Sequence, residues 1–398
     1  MRRCEGHLIT LKDRPTIDWV RLGLILVPVA FFALGTIRLN WPLMFDERYY
    51  LGAAINLVDG GTVVNREHPM LAKEILAAGW WLFGDNIAQI RLLPLLAGTL
   101  GLYLSALALR RHTGSPETAL IFAILLASGF LLFGLSRLTL LEPFAFMFAA
   151  LSLYLFVHDR PGASAFAIGL AIGCKWTCVP LAALLFTVHL LRCDWRAACW
   201  TAILVPAAYL TTFIPGFMLD IRPAEIVHLH FAMLGRISLF LRGHPYASQW
   251  WEWVIGGGAA YLGIAGERVI VLATNPLTAL LATLAVISFR DRFLSTAFLL
   301  SLVLFVLKPV ALIHQFILPH AFAIAALAVW LAPRPRLALA LCTISVSAFT
   351  LAFPALTGGA DPIAPWPRKE MDLSLSPVSQ RKLDHAVACL HAPKECYP

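Results

Sequence analysis

Ten stretches of this chain are apolar enough to read as helices in contact with lipid. They fall at about residues 22–37, 92–109, 118–135, 144–157, 163–191, 199–217, 269–289, 293–307, 316–331 and 337–353. A helix needs about 20 apolar residues to cross the hydrocarbon core, and somewhat fewer when its ends reach the interface. Composition agrees. Of 398 residues, 59% are hydrophobic and only 14% charged. A soluble domain carries about a quarter charged residues. The net charge of +8 reports where basic residues sit relative to a bilayer. No interleaved basic and aromatic pattern of a single-strand binder is present, so no nucleic-acid partner is expected.

Basic clusters set the expected orientation. They lie at Arg110-Arg111, His158-Asp159-Arg160, Arg192 with Arg196, Arg290 with Arg292, and Arg334 with Arg336. Cytoplasmic turns collect such residues. With the N-terminus inside, as Arg2, Arg3, Lys12, Arg14 and Arg21 suggest, all five turns fall inside only if residues 163–191 cross twice, turning near Lys175. That makes an all-α polytopic bundle of about 11 transmembrane helices. Residues 1–354 form one transmembrane domain, with outer loops at about 38–91 and 218–268. A short outer tail spans residues 355–398. Loops of that length in a helical bundle are usually functional. The N-terminal segment reads as an uncleaved signal-anchor.

Of eight cysteines, Cys174, Cys178, Cys193, Cys199 and Cys342 lie in or beside apolar segments and are read as inert packing. Cys174 and Cys178 lack zinc-site spacing. Cys389 and Cys396 are a possible bridge in an oxidising compartment.

Four motifs carry chemistry. Phe45-Asp46-Glu47-Arg48 puts two acids just past the first span, either as a reactive pair or as a solvated helix cap. Asn65-Arg66-Glu67-His68-Pro69 precedes a helix holding Lys73. Ser136-Arg137-Leu138-Thr139-Leu140-Leu141-Glu142 fills a very short outer turn; Lys175 and Lys308 occupy matching places. Cations in short outer turns run against the positive-inside trend. Together they suit an anionic ligand such as a polyprenyl phosphate, whose oxyanion sits at the interface; snorkelling to lipid phosphate is the alternative. Finally, His244-Pro245-Tyr246 leads to Trp250-Trp251-Glu252-Trp253, a platform for sugar or lipid, or an aromatic belt.

These segments, with Gly173-Cys174-Lys175-Trp176-Thr177 and a weaker Asn275-Pro276, resemble the protein O-mannosyltransferase family, glycosyltransferase family 39, of the GT-C fold. The resemblance runs from the first span to about residue 280. It implies a lipid-linked donor, polyprenyl-phosphate-mannose or a related hexose, and no further cofactor. Asp46 becomes the catalytic base and Glu47 its neighbour at the acceptor. Arg48, His68, Lys73, Arg137, Glu142, Lys175, His244, Tyr246, Trp250 and Trp251 become donor-phosphate or substrate contacts. No metal ligands are expected from the residues themselves, with Glu67 and His68 read as a surface pair rather than as ligands of a divalent metal, which stays the alternative. The acceptor is a Ser/Thr hydroxyl of a translocated protein, with a lipid or glycan acceptor, as in aminoarabinose transferases, the rival. A non-enzymatic transporter is the third reading. The sequence departs from the family at Met70, Ala72 and Glu142, and it lacks a large outer domain. A compact bacterial inner-membrane enzyme, active on the outer face, is the expectation.

Overall fold

The structure, a computed structural model, describes residues 18–359 apart from 42, 44, 62, 64, 219–221, 240–247, 266–267 and 307–310. Among the described residues, eighteen α-helices follow in order. They are α1 (Trp19–Gly35), α2 (Phe45–Val58), α3 (Leu71–Phe83), α4 (Ile87–Ile90), α5 (Leu92–Thr113) and α6 (Pro116–Ala127). Next come α7 (Phe130–Ser136), α8 (Glu142–Val157), α9 (Pro161–Cys174), α10 (Val179–Leu191), α11 (Trp195–Thr211) and α12 (Ile214–Met218). The last are α13 (Pro223–Leu239), α14 (Trp250–Val254), α15 (Pro276–Ile287), α16 (Arg292–Val306), α17 (Ile317–Leu331) and α18 (Pro335–Leu356). One antiparallel hairpin, β1 (Ala259–Ala265) and β2 (Arg268–Ala273), precedes α15.

The protein is an integral membrane protein. Among the described residues, four helical stretches are long and apolar enough to cross a bilayer: Ile87–Thr113, Trp195–Phe217, Ile313–Leu331 and Pro335–Leu356. Helices α6 and α7 together make a fifth, bent by 64°. Six shorter apolar helices accompany them: α1, α8, α9, Trp176–Leu191, α15 and α16. Each expected apolar run thus has a helix. The 163–191 run is interrupted where expected: Lys175 is extended (φ −159°, ψ 132°), and α9 stops there. One expectation needs correcting at its edge. The run from residue 269 opens as strand β2, because Val269-Ile270-Val271 is β-branched, and the helix starts only at Pro276. The buried Ile270 and Leu272 of β2 join the main core.

Local chemistry fixes the helix starts. Asp18 accepts from Arg21 N at 3.1 Å, Ser115 from Thr118 N at 3.0 Å, Asp194 from Ala197 N at 3.0 Å and Asn275 from Leu277 N at 3.2 Å. Each satisfies a backbone donor that the first turn leaves unpaired. Prolines 116, 161, 276 and 335 open helices where no donor is needed.

The helices alternate between two ends of the bundle. At one end the basic turns gather. Arg111 Nε donates to Val157 O at 3.4 Å, His112 Nε2 lies 2.7 Å from Asp291 Oδ2, and Arg192 stacks 5.3 Å over Phe156, which itself stacks on Phe293. At the other end lie Arg91, Arg137, Glu142 and Lys175 at the opposite tips of α5, α7, α8 and α9. Helix α5, 22 residues long, spans the gap; at 1.5 Å per residue that is about 33 Å, the thickness of a hydrocarbon core. Small residues let the spans close up. A Cβ on Gly98 would sit 1.9 Å from Ser136 Oγ, and one on Gly169 would sit 2.6 Å from Ala208 Cβ.

Candidate active site

Two clusters of charge meet at the first turn of α2. The first is a tie-point. Glu47 is fully buried, and its Oε1 and Oε2 accept from Arg91 Nε at 2.9 Å and Nη2 at 2.7 Å. Its Oε1 also accepts from Thr139 N at 2.8 Å and Thr139 Oγ1 at 3.1 Å. Arg91 Nη1 donates to the carbonyls of Leu39 (2.7 Å) and Trp41. Beside it, Arg137 donates to Gly35 O at 3.1 Å and Leu356 O at 2.6 Å, with its guanidinium 5.4 Å over the ring of Phe133. Those carbonyls end α1 and α18, where the helix dipole is negative and a cation is favoured. Arg137 therefore spends its donors on the fold.

The second cluster is open to chemistry. Lys175 pairs with Glu142 Oε1 through a buried ion pair, and His314 Nε2 lies 3.5 Å from the same oxygen. Glu142 Oε2 is buried and makes no hydrogen bond among the described residues. Asp46 faces this group. It is partly exposed, and no hydrogen bond to it is present among the described residues. Burial, reinforced by Glu142 and Glu67 and opposed by Lys175, pushes its carboxyl up to about 7. So of two adjacent acids one is locked away and the other is left available. Successive helical residues point about 100° apart, which is enough to send them to different partners.

The other expected residues spread around this centre. Lys73 is fully buried and donates to Asn65 O and His68 O, both at 2.9 Å, which pins the 65–68 turn onto α3. Burial pulls its ammonium down to about 8. Its partner Asn65 takes a left-handed φ of 54°, which asparagine tolerates. The His68 ring stands edge-on to Tyr50 at 5.7 Å. Arg48 is exposed. Trp250 is half-buried and Trp251 exposed, on a short helix capped reciprocally by Gln249 and Glu252. Trp253 is the buried tryptophan, donating to Ser248 Oγ at 2.6 Å. His244, Tyr246, Lys308, Cys389 and Cys396 lie outside the described residues. Among the described residues, no three His, Cys, Asp or Glu side chains converge as a metal site.

Sequence reasoning missed Arg91 and Thr139 as the partners of Glu47. It also missed a chain beside Lys175: Trp176 Nε1 donates to Tyr209 Oη at 3.2 Å, and Tyr209 Oη lies 2.9 Å from His230 Nε2. That chain docks α13 on the break after α9. No spacing rule links residues so far apart in sequence.

The chain is similar to known proteins in sequence and in fold. Residues 83–196, which include Arg91, Arg137, Glu142 and Lys175, match the family model of dolichyl-phosphate-mannose-protein mannosyltransferases. A polyprenol-phosphate-mannose–protein mannosyltransferase of Corynebacterium glutamicum is 29% identical over 158 residues, covering 36% of this chain and 30% of that protein. An uncharacterized Aquifex aeolicus protein is 33% identical over 141 residues, 33% of this chain and 28% of its own length. The matches thus span under a third of these relatives. Among solved structures, the S. cerevisiae protein O-mannosyltransferase Pmt1-Pmt2 complex bound to the sugar donor superposes with a TM-score of 0.73 at 13% identity, over 89% of this chain and 91% of that one. ArnT from Cupriavidus metallidurans bound to undecaprenyl phosphate gives 0.60 at 18% identity, over 84% and 65%. Over residues 83–196 the chain is thus similar to dolichyl-phosphate-mannose-protein mannosyltransferases, and as a whole it has the membrane-embedded fold of the Pmt1-Pmt2 and ArnT structures.

Proposed function

We propose that this protein is an inverting glycosyltransferase that moves mannose, or a related hexose, from a polyprenyl-phosphate carrier to a Ser/Thr hydroxyl of a translocated protein. The observation that carries the reading is Asp46: a carboxyl without hydrogen-bond partners among the described residues, held near neutrality, facing a buried Lys175–Glu142–His314 cluster at the end of the bundle opposite the basic turns. A base works best when its pKa lies near the working pH.

The step balances as follows. The acceptor oxygen attacks the anomeric carbon and forms the new C–O bond. Its proton passes to the Asp46 carboxylate. The bond from the anomeric carbon to the phosphate oxygen breaks, and the electron pair leaves with the polyprenyl phosphate. To Lys175, paired with Glu142 beside Asp46, we assign the stabilisation of that departing charge. Backside attack inverts the centre. Arg48, Trp250 and Trp251 are the exposed or half-buried groups left to meet sugar, lipid or acceptor. Glu47, Arg137 and Lys73 hold the site in shape through the bonds described above.

By the positive-inside trend, the turns at 110–112, 158–160, 192–196 and 290–292 are cytoplasmic and Asp46 lies on the outer face. A bacterial inner membrane, with a periplasmic site, is the setting that follows. Residues 1–354 are the catalytic unit, with loops 38–91 and 218–268 outside, and 355–398 an outer tail.

A lipid or glycan acceptor is the second reading, supported by the fold shared with ArnT. One experiment separates the two. The purified protein is given polyprenyl-phospho-mannose with a Ser/Thr peptide or with a lipid acceptor, and products are identified by mass spectrometry. Glycopeptide from the wild type and none from Asp46→Asn is the expected result. Transfer to lipid alone selects the second reading, and no transfer to either removes both.

A further inference from the structure

A second feature lies far from Asp46. Between the α5–α8 pair and the α16–α17 pair is a half-open apolar pocket. Phe146, Leu153, Phe293, Phe322 and Ala325 are among its walls, and only Ser105 and His112 bring polar side chains. Along α8 the lining runs from Phe146 to Val157, about 16 Å at 1.5 Å per residue. A sugar or polar peptide inside it would lose hydrogen bonds to water without replacement. An extended hydrocarbon chain loses nothing there, because the lining is as apolar as the lipid tails around the bundle, and it can lie along the groove.

The charge around the pocket says which lipid. Its wall reaches His112, beside Asp291, at the end of the bundle where the basic turns gather. Arg111, Arg290 and Arg292 are exposed there, with Arg110 half-buried and Arg192 over Phe156. The acids of this end are fewer: Asp291 is tied to His112, Glu117 accepts from Ser115, Asp194 caps α11, and Asp159 stands exposed beside Arg160. The surplus is positive. We infer that the pocket binds one acyl chain of an anionic phospholipid, whose phosphate meets Arg111, Arg290 and Arg292. A donor lipid with its phosphate at Lys175 sits at the opposite end of α5, about 33 Å away, so this is a separate site. The inference does not depend on which sugar or acceptor the enzyme uses.

The full chain, delipidated in neutral detergent, is offered phosphatidylglycerol and phosphatidylcholine in equal amounts, and retained lipid is counted by native mass spectrometry. One phosphatidylglycerol per chain, preferred by about fivefold for each arginine engaged, is the expected result. Ala150 of α8 also lines the pocket, and Ala150→Phe, which fills it, abolishes retention. The surface double variant Arg111→Gln with Arg292→Gln removes most of the preference and guards against a filled-pocket variant that fails to fold. Equal retention of the two lipids overturns the inference. So does unchanged retention in a folded Ala150→Phe protein, or displacement of phosphatidylglycerol by polyprenyl phosphate, which would make the pocket the donor's.

Discussion

Asp46 and Glu47 are neighbours of the same chemical type, and the tertiary structure gives them different work. Glu47 is enclosed by Arg91 and Thr139; Asp46 is left facing Lys175 and Glu142. Losing the base should cost about 100- to 10,000-fold in turnover. Asp46→Asn should show that loss in kcat while retaining wild-type elution and thermal stability. Glu47→Gln should do something else. It leaves a buried arginine uncompensated, a defect of about 3–5 kcal/mol, so yield and melting temperature should fall before any turnover is measured. The pH profile follows from the sign of the Asp46 shift. Its carboxyl is raised to about 7, so the carboxylate that accepts the proton appears only as pH rises through that value. Below it, kcat/KM should fall about tenfold per pH unit. A profile that is flat from pH 5.5 to 8 would remove Asp46 as the titrating base.

Helices here owe their positions to one-residue features. Caps at Asp18, Ser115, Asp194 and Asn275 start them, and glycines let them touch. Between lipid-facing helices no hydrophobic driving force remains, so close van der Waals fit holds them together. Gly169 packs against the backbone and Ala208 of α11, where an added side chain meets Val205 O at 2.5 Å. Gly169→Val should therefore lower the detergent melting temperature, whereas Gly162→Ala, whose Cβ would meet nothing nearer than 3.5 Å, should not. The hairpin before α15 shows where apolarity misleads. A β-branched run satisfies a hydropathy window as well as a helix does; Asn275 and Pro276 decide where the helix starts.

The bundle as a body is polarised, with the basic turns at one end and the proposed site at the other. Reporter fusions after Arg111, Arg196 and Arg292 should read cytoplasmic, and a fusion at Gly60, in the turn that ends α2, should read outside. A cytoplasmic signal at Gly60 would put Asp46 on the wrong side for a translocated acceptor. Apolar length was enough to find a helix in each expected run and the break at Lys175, though not the strand that opens the run at 269, because apolarity is a property each segment carries alone. The acidic and basic motifs at the reactive end were legible for the same reason: charge near a membrane is scarce and stands out. Which of those charges would be spent on holding the fold was not legible. Arg137 bonds the carbonyl ends of α1 and α18, residues about 100 and 219 positions away, and Arg91 reaches back 44 positions to Glu47. Hydrogen bonds over such separations depend on how helices pack, and nothing local encodes that. Only the assembled bundle, by engaging each guanidinium nitrogen of Arg137 and both oxygens of Glu47, left Asp46 beside the Lys175–Glu142 pair.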